Sequence, residues 1–186
     1  MGTHGIHRID IMNNTLKIAT LVYTLIKELS EQYPDTQISK TVVQRIMYLI
    51  EKELKLDLGF SMYHYGPHSA QVSYCIDFIE ELGLIDVSWD IQKGYSIVVK
   101  ENRKANDAIK DTLTQAEKSV IKEIIHKYGS LEPIKLFMVT TALFVRDEFG
   151  VKAGEQLIET VKSLKPEYSD DYIKTALKEV GIEYPK

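Results

Sequence analysis

Residues 63–82 read YHYGPHSAQVSYCIDFIEEL and join a short turn of aromatic residues, glycine and proline directly to an amphipathic segment. Pro67 has no amide hydrogen and a φ near the helical value, so we expect it at the first position of a helix, with Gly66 just before it. Gly83 is expected to end this helix. The apolar residues recur at spacings of three and four and predict one buried stripe, formed by Val72, Cys75, Ile76, Ile79 and Leu82.

The residues after Gly83, LIDVSWDIQKGYSIVVK at 84–100, alternate between apolar and polar and predict a two-stranded hairpin. A three-residue loop at 92–94 puts the large apolar residues on one face, with Gly94 at the left-handed position that such loops require. A two-residue loop would mix the two faces. The expected cross-strand pairs are Ile91 with Tyr95, Trp89 with Ile97, and Val87 with Val99.

Two amphipathic segments precede this region. The first, 16–33, predicts a helix that ends before Pro34, and the second, KTVVQRIMYLIEKEL, follows Ser39, which is a favourable N-cap. Three helices followed by a hairpin are the element order of a winged helix, so residues 15–100 are expected to form a winged-helix-like unit. Residues 1–14 show no clear periodicity and are expected to be a flexible N-terminal arm.

The pattern beyond Lys100 is helical again. Residues 101–111 predict a short charged helix, and Thr114 with Glu117 forms a capping box at the start of the next one. Three more amphipathic segments follow, each bounded by proline, glycine or a capping residue. The predicted fold class is therefore mainly α: a winged-helix-like N-terminal unit with one β-hairpin, plus a C-terminal helical extension over 101–186 packed on it, with no sharp boundary between them.

Composition excludes several classes of protein. The chain has 186 residues, a net charge of −4 at pH 7 and a single cysteine, Cys75, which cannot form an internal disulfide. Its longest uncharged apolar stretch, 136–145, is much shorter than the roughly 20 residues that span a bilayer. We expect a soluble protein of the reducing cytoplasm, without a membrane partner.

The candidate catalytic and metal-binding residues form no complete set. His64 and His68 have the spacing of two ligands on one helix, but Gly66 and Pro67 interrupt that helix and no further ligand is near in sequence. Ser69 next to His68 lacks the glycine elbow of a serine nucleophile. No glycine-rich loop is available to hold a phosphate. We expect a protein that is not an enzyme and has no catalytic residue, bound metal or cofactor.

A family resemblance is carried by QRIMYLIEKEL and FSMYHYGPHSAQVSYCIDFIEELGLI. These stretches resemble the YwgA-like family of uncharacterised bacterial and archaeal proteins, which has a Gln-Lys-hydrophobic-Tyr helix and a Phe-Tyr-Gly-Pro-Tyr-Ser turn. More distantly, they resemble the Panacea or SocA-like antitoxin domain. His68 departs from the pattern, since the family often has an aromatic residue there. The match covers about residues 38–128, and its most recognisable positions are Gln44, Tyr48, Tyr65, Gly66, Pro67 and Ser69.

The distant resemblance implies a helical, winged-helix-like domain that binds another protein and is not an enzyme. The element order alone favours DNA, because the third helix of such units commonly enters the major groove. However, residues 68–82 contain no Lys or Arg but do contain Asp77, Glu80 and Glu81. The hairpin tip offers only Lys93, with Asp86 and Asp90 on the same ribbon, so these carboxylates would repel phosphates. An unorthodox basic face would need the residues Arg45, Lys52, Arg103 and Lys104.

We therefore expect a protein-interaction module, antitoxin-like or adaptor-like, whose partner is another protein or a second copy in a homodimer. The alternative is a DNA-binding transcriptional regulator of the winged-helix class. The candidate partner-binding residues are Tyr63, Tyr65, His68 and Ser69. Tyrosines in such a turn pack internally more often than they form a binding platform, and both interpretations stay open at this point.

Overall fold

A computed structural model describes residues 3–102, 107, 109, 112–151 and 154–182. The described part contains seven helices and two separate antiparallel hairpins, which confirms the mainly α class with C-terminal helices. The helices are α1 (Thr3–Gln32), α2 (Lys40–Leu54), α3 (Ala70–Glu81), α4 (Gln115–Tyr128), α5 (Pro133–Glu148), α6 (Glu155–Leu164) and α7 (Asp170–Glu179). The strands are β1 (Ser61–Tyr63), β2 (Gly66–His68), β3 (Ile85–Asp90) and β4 (Gly94–Val99).

Helix α1 starts at Thr3, well before the predicted start at Leu16. The apolar periodicity identified only the part of this helix from Leu16 onward. The flexibility expected of residues 1–14 is a property of motion and stays a prediction. The predicted stripe is buried as expected and includes Ala19, Val22, Ile26 and Leu29.

Helix α2 lies at the centre of the fold. Ser39 caps it as predicted, because the Ser39 hydroxyl accepts a hydrogen bond from the Val42 amide at 3.2 Å. The helix packs against α1, α3, α4 and α5. Buried residues of the N-terminal and C-terminal helices therefore belong to one continuous core.

The segment before α3 differs from its predicted form. Pro67 was expected at the first turn of a helix, but it lies in β2, where it pairs with Met62 of β1. The helix begins only after Ser69, whose hydroxyl accepts a hydrogen bond from the Val72 amide. The φ of proline also suits an extended strand, and its missing amide is harmless at a strand edge. The prediction was wrong because serine is the stronger helix-start signal.

The register of the β3–β4 hairpin also differs. Its loop has three residues, as predicted, but it spans 91–93, so Trp89 pairs with Tyr95 and Val87 with Ile97. The predicted pairs were wrong by two residues, a shift that keeps the same residues on the same face. Face alternation therefore could not separate the two registers. Asp90 decides between them, since its carboxylate accepts hydrogen bonds from the amides of Gln92 and Lys93, each at 2.8 Å.

Replacing Asp90 by alanine is expected to lower the free energy of unfolding by about 1 kcal/mol, because the turn loses two charge-assisted hydrogen bonds. Urea denaturation measures this difference. Asp86→Ala is the matched control in the same strand. Asp86 pairs with Lys100 at 2.7 Å on the exposed surface, where an ion pair contributes about 0.5 kcal/mol. Equal losses in the two variants would contradict the assigned turn.

The helices after β4 start and end largely as predicted. The Thr114–Glu117 capping box is present, Pro133 is at the start of α5, and Ser169 caps α7. The short helix predicted at 101–111 falls mostly outside the described residues. None of the described helices is both long and apolar enough to cross a bilayer.

Candidate functional site

The candidate site is the segment 63–69, here called the 63–69 turn, which runs from the end of β1 through β2 to the start of α3. The side chains of Tyr63 and Tyr65 are 61% and 69% exposed. Internal packing, the more common fate of such tyrosines, therefore does not apply to either. The Tyr63 ring lies 4.8 Å from the His68 ring, and the Tyr65 ring 5.3 Å from that of His64.

Gln44 of α2 fixes the end of the turn. Its side-chain amide donates hydrogen bonds to the Ser69 carbonyl and to the Ser73 hydroxyl, each at 2.9 Å. Its side-chain oxygen accepts a hydrogen bond from the Ser69 amide, also at 2.9 Å. Gln44 is itself buried. One buried side chain thus satisfies both backbone groups of Ser69, which water cannot reach.

Arg45, the next residue of α2, holds the start of the turn. Its Nη2 donates to the Tyr65 carbonyl at 3.2 Å, and its Nη1 donates to the Pro133 carbonyl at 2.8 Å. The guanidinium carbon lies 5.2 Å from the centre of the Phe137 ring, in cation–π geometry. Burial lowers the pKa of Arg45 to about 10. Arg45 thereby connects the 63–69 turn to the first residues of α5.

Gly66 allows the turn to approach α5. Its φ is +101°, a backbone conformation that side chains disfavour, and a Cβ there would lie 3.2 Å from the Phe137 ring. Together with Gln44 and Ser69, Gly66 accounts structurally for several positions that carry the family resemblance. These residues fix the backbone of the turn on its side facing the core, and the side chains of Tyr63 and Tyr65 stay exposed.

Ser69 does not belong to a partner-binding surface. The residue is completely buried, and its hydroxyl donates a hydrogen bond to the Leu58 carbonyl at 2.5 Å while capping α3. The expectation that Ser69 contacts a partner is therefore corrected. His68 is half-buried, and its Nε2 lies 3.1 Å from the Ser73 hydroxyl. The candidate surface of the turn is reduced to Tyr63, Tyr65 and His68.

The structure does not assemble a Ser69–His68 pair, because the imidazole faces Ser73 and the Ser69 hydroxyl is held by the main chain. Across the described residues, no three His, Cys, Asp or Glu side chains come together in a way that could hold a metal ion. The turn exposes the rings of Tyr63 and Tyr65 to solvent.

Sequence patterns missed a second group of exposed aromatic residues at the end of the β3–β4 hairpin. Trp89 is 64% exposed and Tyr95 is 44% exposed, and their ring centres lie 4.7 Å apart in an edge-on arrangement. Both residues continue the apolar face that is buried at Ile85 and Ile97. The alternation of apolar and polar residues predicted which side chains share this face of the hairpin. It does not indicate where along the hairpin the rest of the protein stops covering that face.

Cys75 is completely buried in α3, and burial raises the pKa of its thiol from 9.0 to about 11. We expect alkylation by iodoacetamide at about pH 8 to be at least roughly a hundredfold slower in the folded protein than in urea, since only the thiolate reacts. Because the chain has one cysteine, mass spectrometry of the intact protein reads the rate directly. Comparable rates in the two states would contradict the buried position.

The chain matches no protein-family model, and no curated protein matches it. The resemblance to the YwgA-like family and to the Panacea or SocA-like domain therefore stays an expectation.

Proposed function

We propose that the protein is a non-enzymatic, cytoplasmic protein-interaction module in which the 63–69 turn forms part of the partner surface. The observation that carries the proposal is the contrast within this turn. Tyr63 and Tyr65 are exposed, whereas the backbone beneath them is held by the buried side chains of Gln44 and Arg45. Exposed aromatic side chains on a fixed backbone lose little entropy on binding, which suits them as anchors of an interface.

A winged-helix-like arrangement of residues 15–100 is part of the proposal. Three helices precede the β3–β4 hairpin, if the small β1–β2 hairpin is counted as an insertion. The chain before α2 also lies along the outer edge of β4. There, the Ile97 amide donates to the Ile38 carbonyl at 2.8 Å, and the Gln37 side chain donates to two carbonyls of the hairpin at 2.9 Å. These bonds support a wing formed by β3 and β4.

The proposed role is antitoxin-like or adaptor-like, with another protein or a second copy of the chain as the partner. This role comes from the distant resemblance and agrees with the lack of an assembled catalytic group around the described 63–69 turn. Fold likeness alone does not decide function.

DNA binding by a winged-helix regulator is the second candidate, supported by the order of the helices and the hairpin. Its electrostatics are unfavourable. Helix α3 exposes Asp77 and Glu81, and the ammonium of Lys40 is already 3.1 Å from Asp77. Few basic residues are available for an alternative DNA-binding face, because Arg45 is buried and Lys52 pairs with Asp147 and Glu148. Arg103 and Lys104 lie outside the described residues.

Fluorescence polarisation with a labelled random-sequence duplex distinguishes the two candidates. At an ionic strength of about 0.15 M, we expect no submicromolar binding, since few phosphates could be neutralised. Submicromolar affinity that falls steeply as salt rises would overturn the protein-interaction module and favour the regulator.

A further inference from the structure

Exposed aromatic side chains are concentrated on one region of the protein. Within the described residues, six Tyr, Trp or Phe side chains are exposed, and five of them lie on the two hairpins or on α3. The aromatic face defined here consists of Tyr63 on β1, Tyr74 on α3, Trp89 on β3 and Tyr95 on β4. Aromatic residues gathered on one surface in this way are typical of binding sites.

A chain of contacts connects the 63–69 turn to the far hairpin. The Tyr63 ring packs on His68, and His68 lies 3.1 Å from the Ser73 hydroxyl on α3. Asp77 is one helical turn beyond Ser73, with Tyr74 between them.

The contacts continue from α3 to the hairpin end. Asp77 pairs with Lys40, whose ammonium lies 5.2 Å from the centre of the Tyr95 ring, and Tyr95 packs on Trp89. These contacts link the two ends of the aromatic face through α3 and through Lys40 at the start of α2.

The charges on this surface define the partner it fits. Asp77 and Glu81 lie on the exposed side of α3, and Asp90 lies at the hairpin end. The only lysines on these elements and at the start of α2 are Lys40 and Lys93, and Asp77 already neutralises Lys40. Helix α3 itself carries no Lys or Arg. Carboxylates beside exposed aromatic rings attract cations, and a guanidinium can pair with a carboxylate and stack on a ring at the same time.

We propose that the aromatic face binds an arginine-containing segment of a partner protein. The arginine side chains stack on the exposed rings of Trp89 and Tyr74, pair with the Glu81 carboxylate and share the Asp77 carboxylate with Lys40. Apolar residues of the segment cover Tyr63 and Tyr95. This inference rests on the proposed function and names the chemistry of its partner.

Trp89 provides a direct reporter, because it is the only tryptophan in the chain and it is exposed on this face. The probe is a synthetic peptide of four Gly-Arg-Leu repeats, added to the full-length protein at about 0.15 M salt. The matched peptide carries citrulline, which keeps the shape of arginine without its charge. We expect a saturable change in Trp89 emission with the arginine peptide and binding at least about tenfold weaker with the citrulline peptide. A lysine peptide is expected to bind with intermediate affinity.

The charge-matched variants separate this face from the rest of the acidic surface. The double variant Asp77→Asn/Glu81→Gln is expected to bind the arginine peptide about fivefold more weakly. Glu155→Gln with Glu159→Gln removes the same charge from exposed positions of α6 and is expected to leave its affinity unchanged.

Equal affinity for the arginine and citrulline peptides, equal effects of the two double variants, or no saturable signal would overturn the inference. If a protein partner is nevertheless captured through Tyr63 and Tyr65, only the arginine chemistry fails and the proposed function stands. Competition by a labelled duplex for the same emission change would instead point to nucleic acid.

Discussion

Replacing Gln44 with leucine is expected to lower the free energy of unfolding by about 3 kcal/mol. The variant keeps a side chain of similar size but removes three hydrogen bonds, and it leaves the buried Ser69 amide without a partner, while the Ser69 carbonyl keeps only the Ser73 amide at 3.1 Å. Each buried polar group left unsatisfied costs about 1–3 kcal/mol. Urea denaturation followed by circular dichroism measures the loss.

Gln37→Leu is the matched control. Gln37 also donates two hydrogen bonds to backbone carbonyls, those of Lys93 and Tyr95, but it is exposed. Water can replace those bonds, so we expect a loss of about 1 kcal/mol or less. Similar losses for the two glutamines would show that Gln44 does not hold the 63–69 turn.

Replacing Gly66 with alanine is expected to cost about 2–3 kcal/mol and to displace the exposed tyrosines. A left-handed backbone costs a side chain about 1–2 kcal/mol. The new methyl group would in addition lie 3.2 Å from the Phe137 ring, so the turn or the ring must move. Thermal or urea unfolding gives the stability, and the NMR signals of Tyr63 and Tyr65 report the displacement.

Gly59→Ala isolates the backbone contribution. Gly59 also has a positive φ, +64°, but nothing lies within 4 Å of the position that a Cβ would take. The free energy of unfolding of this variant should therefore fall by only about 1 kcal/mol, with no change in the NMR signals of Tyr63 and Tyr65. An equal cost at the two glycines would contradict the close approach of the turn to α5.

The helices could be predicted well because their signals are local. Ser39, Thr114 and Ser169 cap helices where the sequence placed the starts, since capping depends on residues within one turn. The apolar spacing of α3 also gave its buried face, because a helix with one apolar stripe has one way to bury it. Helix α2 differs, since every residue from Val42 to Ile50 is buried, which a single stripe does not predict.

The candidate site could be predicted only in part, because its decisive contacts are distant in sequence. Tyr63 and Tyr65 were identified from the unusual turn, but their exposure depends on how α5 packs nearby. Arg45 was considered only for an unorthodox basic face, and it is buried against Pro133 and Phe137, which lie far along the chain. Trp89 was placed on the correct face of its hairpin, whereas its exposure depends on where the core ends.

Two errors came from choosing one local signal over another. Pro67 suits both a helix start and a strand, and the Ser69 cap decided between them. Gly94 suits a left-handed position in either hairpin register, and its φ of +73° agrees with that expectation. The hydrogen bonds from the loop amides to Asp90 selected the register, because face alternation is the same in two registers that differ by two residues and only the turn chemistry distinguishes them.

Photo-crosslinking in cells that encode the protein tests whether the 63–69 turn forms a partner surface. A photoreactive residue replaces Tyr74, which is exposed beside the turn, and mass spectrometry identifies the crosslinked chain. The account predicts one dominant protein partner, or a second copy of the chain, whose crosslink falls at least about tenfold in Tyr63→Ala/Tyr65→Ala. Unfolding by urea must show that this variant stays folded. A crosslink to the same partner that is unchanged in the folded variant, or a crosslink to DNA alone, would contradict the account.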